Sequence, residues 1–295
     1  LIPKIINSVG YKQENIILSD DIIKFIIENY TFEGGVRKLK ECVLEICKEI
    51  NLRKLSGTKI LGNKIKYPIE ITKKMLTDEI FKKKNVKKHE KIHSKPRVGL
   101  VTGLWANELG LGGILPIEAI TIPTNNKLEL ELTGQLGDVM KESMKCAKTV
   151  AWNIIPNSIK EKLSEEWKTF GPSGIHIHCP DTAMPKDGPS AGGAITTAMI
   201  SLLMNEPVNN KIAMTGEINL RGEITEIGGL KEKLNGAKKA GVEHVLIPHK
   251  NIPEYDKVIM NDPTLLDKNF KVTTVKSIWD IFDICFTKKI KTKKY

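Results

Sequence analysis

Strand, tight turn and helix follow one another between Ile175 and Met204, and this succession constrains the fold more than any other stretch. Ile175-His176-Ile177-His178 alternates apolar and polar residues, the period of a strand with one buried face. Met184 to Gly193 reads Met-Pro-Lys-Asp-Gly-Pro-Ser-Ala-Gly-Gly, a run of turn residues whose glycines accept positive φ and close backbone approach. Ala194 to Met204 is alanine-rich and helical in pattern. The first N–H groups of a helix lack intrahelical partners, so a serine at this junction, Ser190, can stand beside donors for a developing oxyanion. A plain turn has the same composition. A nucleophilic serine also needs a base. Lys231 and Lys233 follow the Gly228-Gly229 turn and open a helix whose apolar side holds Leu234, Ala237 and Val242. A lysine buried there can deprotonate near neutral pH if its pKa falls by roughly three units; most lysines are instead solvated.

Four motifs in order resemble the proteolytic domain of the Lon family of ATP-dependent proteases: Pro-Lys-Asp-Gly-Pro-Ser-Ala-Gly at 185–192, Met-Thr-Gly-Glu-Ile at 214–218, Leu-Arg-Gly at 220–222 and Ile-Gly-Gly-Leu-Lys-Glu-Lys at 227–233. The resemblance implies Ser190 as nucleophile and Lys233, not Lys231, as its partner. It also implies that Thr215 orients the lysine amine. Gly112-Gly113-Ile114-Leu115-Pro116-Ile117-Glu118 resembles another family segment, with Glu118 either structural or near the site. The family carries histidines where His176 and His178 stand, which implies that His176 supports the nucleophile turn. Asp187, three residues before Ser190, either caps the turn or pairs with Lys233 in a resting form, which would keep the amine charged.

Residues 1–81 read as mostly helical. Helices are expected over Leu1 to Val9, from a Ser19 cap through Ile27 to Tyr30, from Gly34-Gly35 along the stripe Val36, Leu39, Val43, Leu44, Cys47, Ile50 and Leu55, and over Thr72 to Ile80, with a short strand at Ile65 to Ile71. Tyr30 to Leu39 resembles the Lon pattern around the sensor-2 arginine of the small α-helical AAA+ subdomain. That implies Arg37 as a nucleotide contact in the intact protein, with ATP and Mg2+ held mainly by an ATPase subdomain absent from this chain. No Gly-x-x-x-x-Gly-Lys-Ser/Thr loop occurs, so the chain alone should not hydrolyse ATP.

Residues 82–97 read as a lysine-rich linker. Within it, His89-Glu90-Lys91-Ile92-His93 fits the zinc-binding pattern His-Glu-x-x-His. The lysine flanks repel a cation, Pro96 limits the helix and no third ligand follows, so no metal site is expected. Beyond Val98, Gly99 to Trp105 resembles the family's opening strand, and the pattern predicts strands at 120–123 and 128–133, a helix to about Ile155 with Met140, Met144, Ala147 and Val150 on one face, and a helix after Gly229 to Ala240. Strands at 245–247 and 270–275 and a helix at 277–286 follow, then a basic tail from 289, expected to be disordered.

The 295 residues suffice for two domains, and 40% hydrophobic content is in the globular range. No apolar run reaches membrane-spanning length, and a helical pattern already under way at Leu1, without signal-peptide features, reads as the interior of a longer protein. Five cysteines without metal-ligand spacing read as reduced packing residues. The net charge of +11 favours polyanions and leaves non-specific DNA binding open, although dispersed lysines with few aromatics point to compositional bias.

The expectation is an α+β chain: an AAA+ small subdomain (1–81), the linker (82–97), a Lon-type proteolytic domain of the ribosomal protein S5 domain 2-like fold (98–288) and the tail (289–295). The resemblance implies a Ser-Lys endopeptidase acting on unfolded proteins through an acyl-enzyme, in a homo-hexamer. The lysine-rich insertion favours the mitochondrial matrix over bacterial cytoplasm. Two rivals remain: a zinc peptidase using His89, Glu90 and His93, and a non-enzymatic DNA-binding or chaperone module.

Overall fold

The computed structural model of the protein describes residues 2–31, 35–86, 90–108, 110–180, 186–290 and 292–293. The chain divides into two units, Leu1–Lys88 and His89–Tyr295.

The first unit packs α1 (Ile2–Ser8), α2 (Asp20–Ile26), α3 (Arg37–Ser56) and the short α4 (Lys73–Met75) around one apolar cluster that includes Ile6, Ile26, Val43, Ile46, Ile50 and Phe81. Ser19 caps α2, its Oγ accepting the Ile22 N–H at 3.4 Å. The pattern then widens into a π turn, Ile27–Thr31, that buries Tyr30 and Thr31. Along α3 the stripe departs from expectation. Leu39, Cys42, Val43, Ile46, Cys47 and Ile50 are buried, but Leu55 in the last turn and Val36, the non-helical N-cap, are exposed. The strand expected over 65–71 shrinks to β2 (Ile69–Glu70), parallel to β1 (Ile16–Ile17). Pro68 lacks the N–H that a longer ladder needs. The helix expected over 72–80 is α4 followed by a π turn, Leu76–Ile80.

The second unit is built on a mixed seven-stranded sheet. Its strands in chain order are β3 (Leu100–Ala106), β4 (Gly112–Pro123), β5 (Leu130–Thr133), β6 (Ser173–His178), β7 (Ile212–Met214), β10 (His244–Pro248) and β11 (Lys271–Val275), with β8 (Glu217–Ile218) and β9 (Ile224–Thr225) forming a separate hairpin. The order across the sheet is β11-β10-β7-β3-β4-β6-β5. The segments expected at 112–118 and 120–123 are thus one antiparallel strand, paired with β3 on one side and β6 on the other.

Alternation along the strands feeds two cores. Leu115, Ile117, Ile175, Ile177 and Leu246 face α5 (Asp138–Ile154), α7 (Gly192–Met204) and α10 (Ile278–Cys285). Leu104, Ile114, Val245 and Ile247 face α8 (Leu230–Ala240) and α9 (Ile252–Asn261). Helix α7 is enclosed on all sides from Gly192 to Ser201. Its hydroxyls are satisfied locally: Thr196 and Thr197 donate to the carbonyls of Gly192 and Gly193, each at 2.8 Å, as buried polar groups must.

Sequence reasoning passed over α6 (Asn157–Phe170), α9, β7 and the β8–β9 hairpin. Only Trp167 of α6 is fully buried, so its periodicity is faint; Ile159, Leu163 and Trp167 at four-residue spacing were the available signal. The second half of the lysine-rich stretch is not a solvated linker. The Ile92 N–H donates to Ala240 O at 3.2 Å, the His93 carbonyl accepts from Asn210, and Arg97 bridges Val208. Ile92 also packs on the α8 core, which gives this segment an apolar reason to dock.

Candidate active site

The site is assembled where the start of α7 meets the end of β7. The Ser190 carbonyl accepts from Gly216 N at 2.7 Å and from Thr215 Oγ1 at 3.2 Å, while Gly193 N donates to Gly216 O at 3.0 Å. The two segments are therefore stitched in both directions around the serine. Gly216 has φ of +157°, and a Cβ there would lie 2.4 Å from Ile224 Cγ2, so no other residue fits the crossing.

Lys233 arrives from the other face of the sheet, on α8. Helix and strand touch backbone to backbone: a Cβ on Gly236 would stand 2.4 Å from Gly112 C, and one on Gly112 would stand 2.1 Å from Glu232 O. This approach sinks Lys233, a turn before Gly236, until it is 3% exposed. Its Nζ donates to Thr215 Oγ1 at 3.2 Å. Thr215, 1% exposed, thus takes a hydrogen from the lysine and gives its own to the serine's carbonyl. Burial pushes the Lys233 amine from 10.5 to about 8, with the Glu254 charge opposing that fall. Lys231, two positions earlier, is exposed.

Ser190 and Lys233 line one cavity of about 330 Å³. Leu104, Trp105, Leu115 and Met140 give it an apolar lining, joined by the polar side chains of Asn107, Lys186 and Asp187. The Trp105 indole rests on Gly113, where a Cβ would come within 2.8 Å of Nε1. A serine, a lysine with lowered proton affinity and an apolar recess together suit nucleophilic attack beside a bound hydrophobic side chain.

Residues 70–288 match the family profile described as the Lon protease (S16) C-terminal proteolytic domain, and residues 7–63 match the Lon protease AAA+ ATPase lid domain. The chain belongs to the Lon protease family. The Lon protease of Fervidobacterium nodosum is 38% identical over 286 residues, covering 96% of this chain and 32% of that protein. The Lon protease of Chlamydia trachomatis is 35% identical over 288 residues, covering 97% of this chain and 34% of its own length. A Lon protease homolog of Acanthamoeba polyphaga mimivirus is 32% identical over 333 residues, covering 95% of this chain and 32% of its own length. The chain spans about a third of the length of these curated relatives.

Other residues singled out in this Lon chain stand apart from the amine. The Asp187 carboxylate accepts from Met140 N at 3.0 Å and Gly188 N at 2.9 Å, so it caps α5 rather than pairing with Lys233. Gly137 makes room for it, since a Cβ there would lie 2.4 Å from Asp187 Cγ. His176 Nε2 and His178 Nδ1 share the Thr133 hydroxyl at 2.9 and 2.7 Å. These bonds join β6, which precedes the turn, to the neighbouring strand β5. Glu118 lies in register with His178 and Leu100 on β4, outside the cavity.

The expected oxyanion donors need revision. The N–H groups of Gly192 and Gly193 at the start of α7 are taken by Pro189 O and Gly216 O, each at 3.0 Å. Arg37 is in the first unit, with an 89% exposed side chain 3.3 Å from Glu41. The stretch Asp181 to Pro185 and His89 lie outside the described residues; among the described residues no group of three or more His, Cys, Asp or Glu gathers for a metal. The five cysteines are free thiols, with burial pushing Cys179 to about 12. Among the described residues no helix is long and apolar enough to cross a membrane. Trp105, Met140, the Gly112–Gly236 crossing and Glu254 went unassigned in the sequence. The glycines of 112–113 were the one visible signal.

Proposed function

We propose that this chain is the proteolytic part of an ATP-dependent serine endopeptidase in which Ser190 and Lys233 form the catalytic pair. Ser190 Oγ attacks the peptide carbonyl carbon while its proton passes to the neutral Lys233 Nζ. The tetrahedral adduct collapses, the C–N bond breaks, and Lys233 returns the proton to the leaving amine. Water then attacks the serine ester, giving one proton to Lys233, and ester cleavage regenerates the Ser190 hydroxyl with that proton. Thr215 keeps the amine aimed. The one observation that carries this reading is the buried Lys233 amine, bonded to Thr215 in the cavity that Ser190 lines.

Burial supports the chemistry quantitatively. At pH 7 an ordinary lysine is neutral about once in three thousand, and one at about 8 roughly once in ten, a gain of about 300-fold in competent base. Backbone N–H groups of the Ser190 turn other than those of Gly192 and Gly193 are the proposed oxyanion donors.

In the intact protein ATP would supply the work of unfolding and delivery. Arg37, exposed at the start of α3, suits a phosphate contact through its guanidinium fork. The same reading extends to unfolded protein substrates, a homo-hexamer, a mitochondrial matrix location with bacterial cytoplasm as the alternative, and an S5 domain 2-like fold for the second unit; non-specific DNA binding stays open beside compositional bias as the source of the positive charge. The test is a peptidase assay of the intact protein carrying Ser190→Ala, Lys233→Ala or Lys231→Ala. Loss in the first two with retention in the third is expected, and an active Lys233→Ala overturns the mechanism.

A further inference from the structure

We propose that Glu254, carried by α9 and clamped by Asn251, is a positioning residue for Lys233: its carboxylate anchors the first turn of α8 and presents a negative charge toward the lysine of that turn. The inference rests on the Ser190–Lys233 reading and assigns to it a group from a helix outside the cavity.

Helix α8 starts without a cap of its own, because Gly229, at φ of +70°, has no side chain to offer. The exposed donors at such an end attract an anion. Glu254, 24 positions onward, fills this role: Oε1 accepts the Leu230 N–H at 3.2 Å, and Oε2 accepts Asn251 Nδ2 at 2.8 Å. Asn251 is 5% exposed, and its amide is fully engaged. Oδ1 accepts from Ile227 N at 3.1 Å and Nδ2 donates to Ile227 O at 2.8 Å. One buried amide thus locks the Gly228-Gly229 turn to the carboxylate at the head of α8.

Lys233 lies three positions past Leu230, about 4.5 Å along the axis. A carboxylate held there favours the protonated amine, against the burial that favours the neutral one. The other charged and titratable groups on the surrounding elements, among the described residues, are these. Lys186 and Asp187 line the same cavity, and Asp187 is engaged at the head of α5. Lys231, Glu232, Lys238 and Lys239 share α8, and α9 adds Tyr255, Asp256 and Lys257. Strand β3 has no titratable residue, and β4 has only Glu118, paired in register with Leu100 and outside the cavity. Glu254 therefore stands as a brake on deprotonation, holding the base in place while keeping its proton affinity from falling further.

The test is the pH profile of peptidase kcat/KM in the intact protein for wild type, Glu254→Gln and Glu254→Asp. Glu254→Gln keeps an acceptor for Leu230 N and removes the charge. Its acidic limb is expected to move to lower pH by roughly half a unit to one unit, the order of a screened charge pair at this range. Glu254→Asp withdraws the charge by one methylene and is expected to shift the same way by less. A residue that only props the helix would lower activity without moving the limb, so superimposable profiles overturn the proposal. A second reading is independent of turnover. The Lys233 side chain, isotopically labelled and assigned with Lys233→Met, is titrated by NMR in Ser190→Ala with and without the Glu254 substitutions. A midpoint that stays put overturns the proposal even where one variant folds poorly, because the other is measured. A fully active Lys233→Ala would sink the Ser-Lys reading instead, leaving the NMR titration to decide the role of Glu254 by itself.

Discussion

If Lys233 is held in its pocket against its own preference for water, removing it should make the protein more stable. Below pH 8 the amine is charged in both folded and unfolded states, and the buried charge carries the full desolvation penalty. The fall from 10.5 to about 8 corresponds to about 3 kcal/mol. At pH 7 nearly all of it is present. Lys233→Met removes that penalty and forfeits the bond to Thr215 Oγ1, a loss of about 1 kcal/mol. A net gain of ~2 kcal/mol follows, or roughly 5 °C in Tm for a unit of this size. Between pH 8 and 10.5 the unfolded state binds more protons at this site than the folded one, so this contribution to wild-type stability rises with pH. The gap between variant and wild type is therefore full at pH 7, shrinks above pH 8 and closes past pH 10.5. Urea melts read by tryptophan fluorescence measure it cleanly, because all four tryptophans (105, 152, 167 and 279) belong to the second unit. A Lys233→Met protein no more stable than wild type at pH 7, or a gain that ignores pH, would refute the premise that the amine is desolvated.

Other outcomes follow from the same geometry. Gly236→Ala and Gly112→Ala each place a methyl within 2.4 Å of backbone, so both should lower peptidase activity at least tenfold, with a loss of stability of about 2 kcal/mol measured by the same urea melts. Asp187→Ala should cost ~1 kcal/mol through the lost cap of α5, with its loss of activity tracking turn disorder rather than any change in the pH midpoint. Arg37→Ala should leave the stability of this chain nearly unchanged, because its ion pair among the described residues is an exposed one within α3, and should depress ATP hydrolysis by the intact protein. Treatment with a chelator in the absence of ATP should leave hydrolysis of small peptides unaltered; inhibition would point to the His89–His93 zinc alternative.

What could be read from the linear chain was whatever local chemistry dictates. Ser19 announces the cap it makes, the alternation at 175–178 is a strand, and Ser190, Thr215 and Lys233 were legible through the motifs that resemble the Lon family. Elements with little buried surface of their own stayed hidden: α6 buries one side chain, and β8 and β9 span two residues each. Three-dimensional packing decided the rest. Without the motif resemblance Lys231 and Lys233 are equivalent as text, and the glycine-to-glycine contact of α8 on β4 buries the second and leaves the first in water. Asp187 had two plausible partners until the end of α5 arrived to claim it. Glu254 had no motif to mark it, because the helix end it caps lies 24 positions away in the chain. A pKa or a cap depends on which dipoles and charges surround a group, and those neighbours exist only once distant segments have packed.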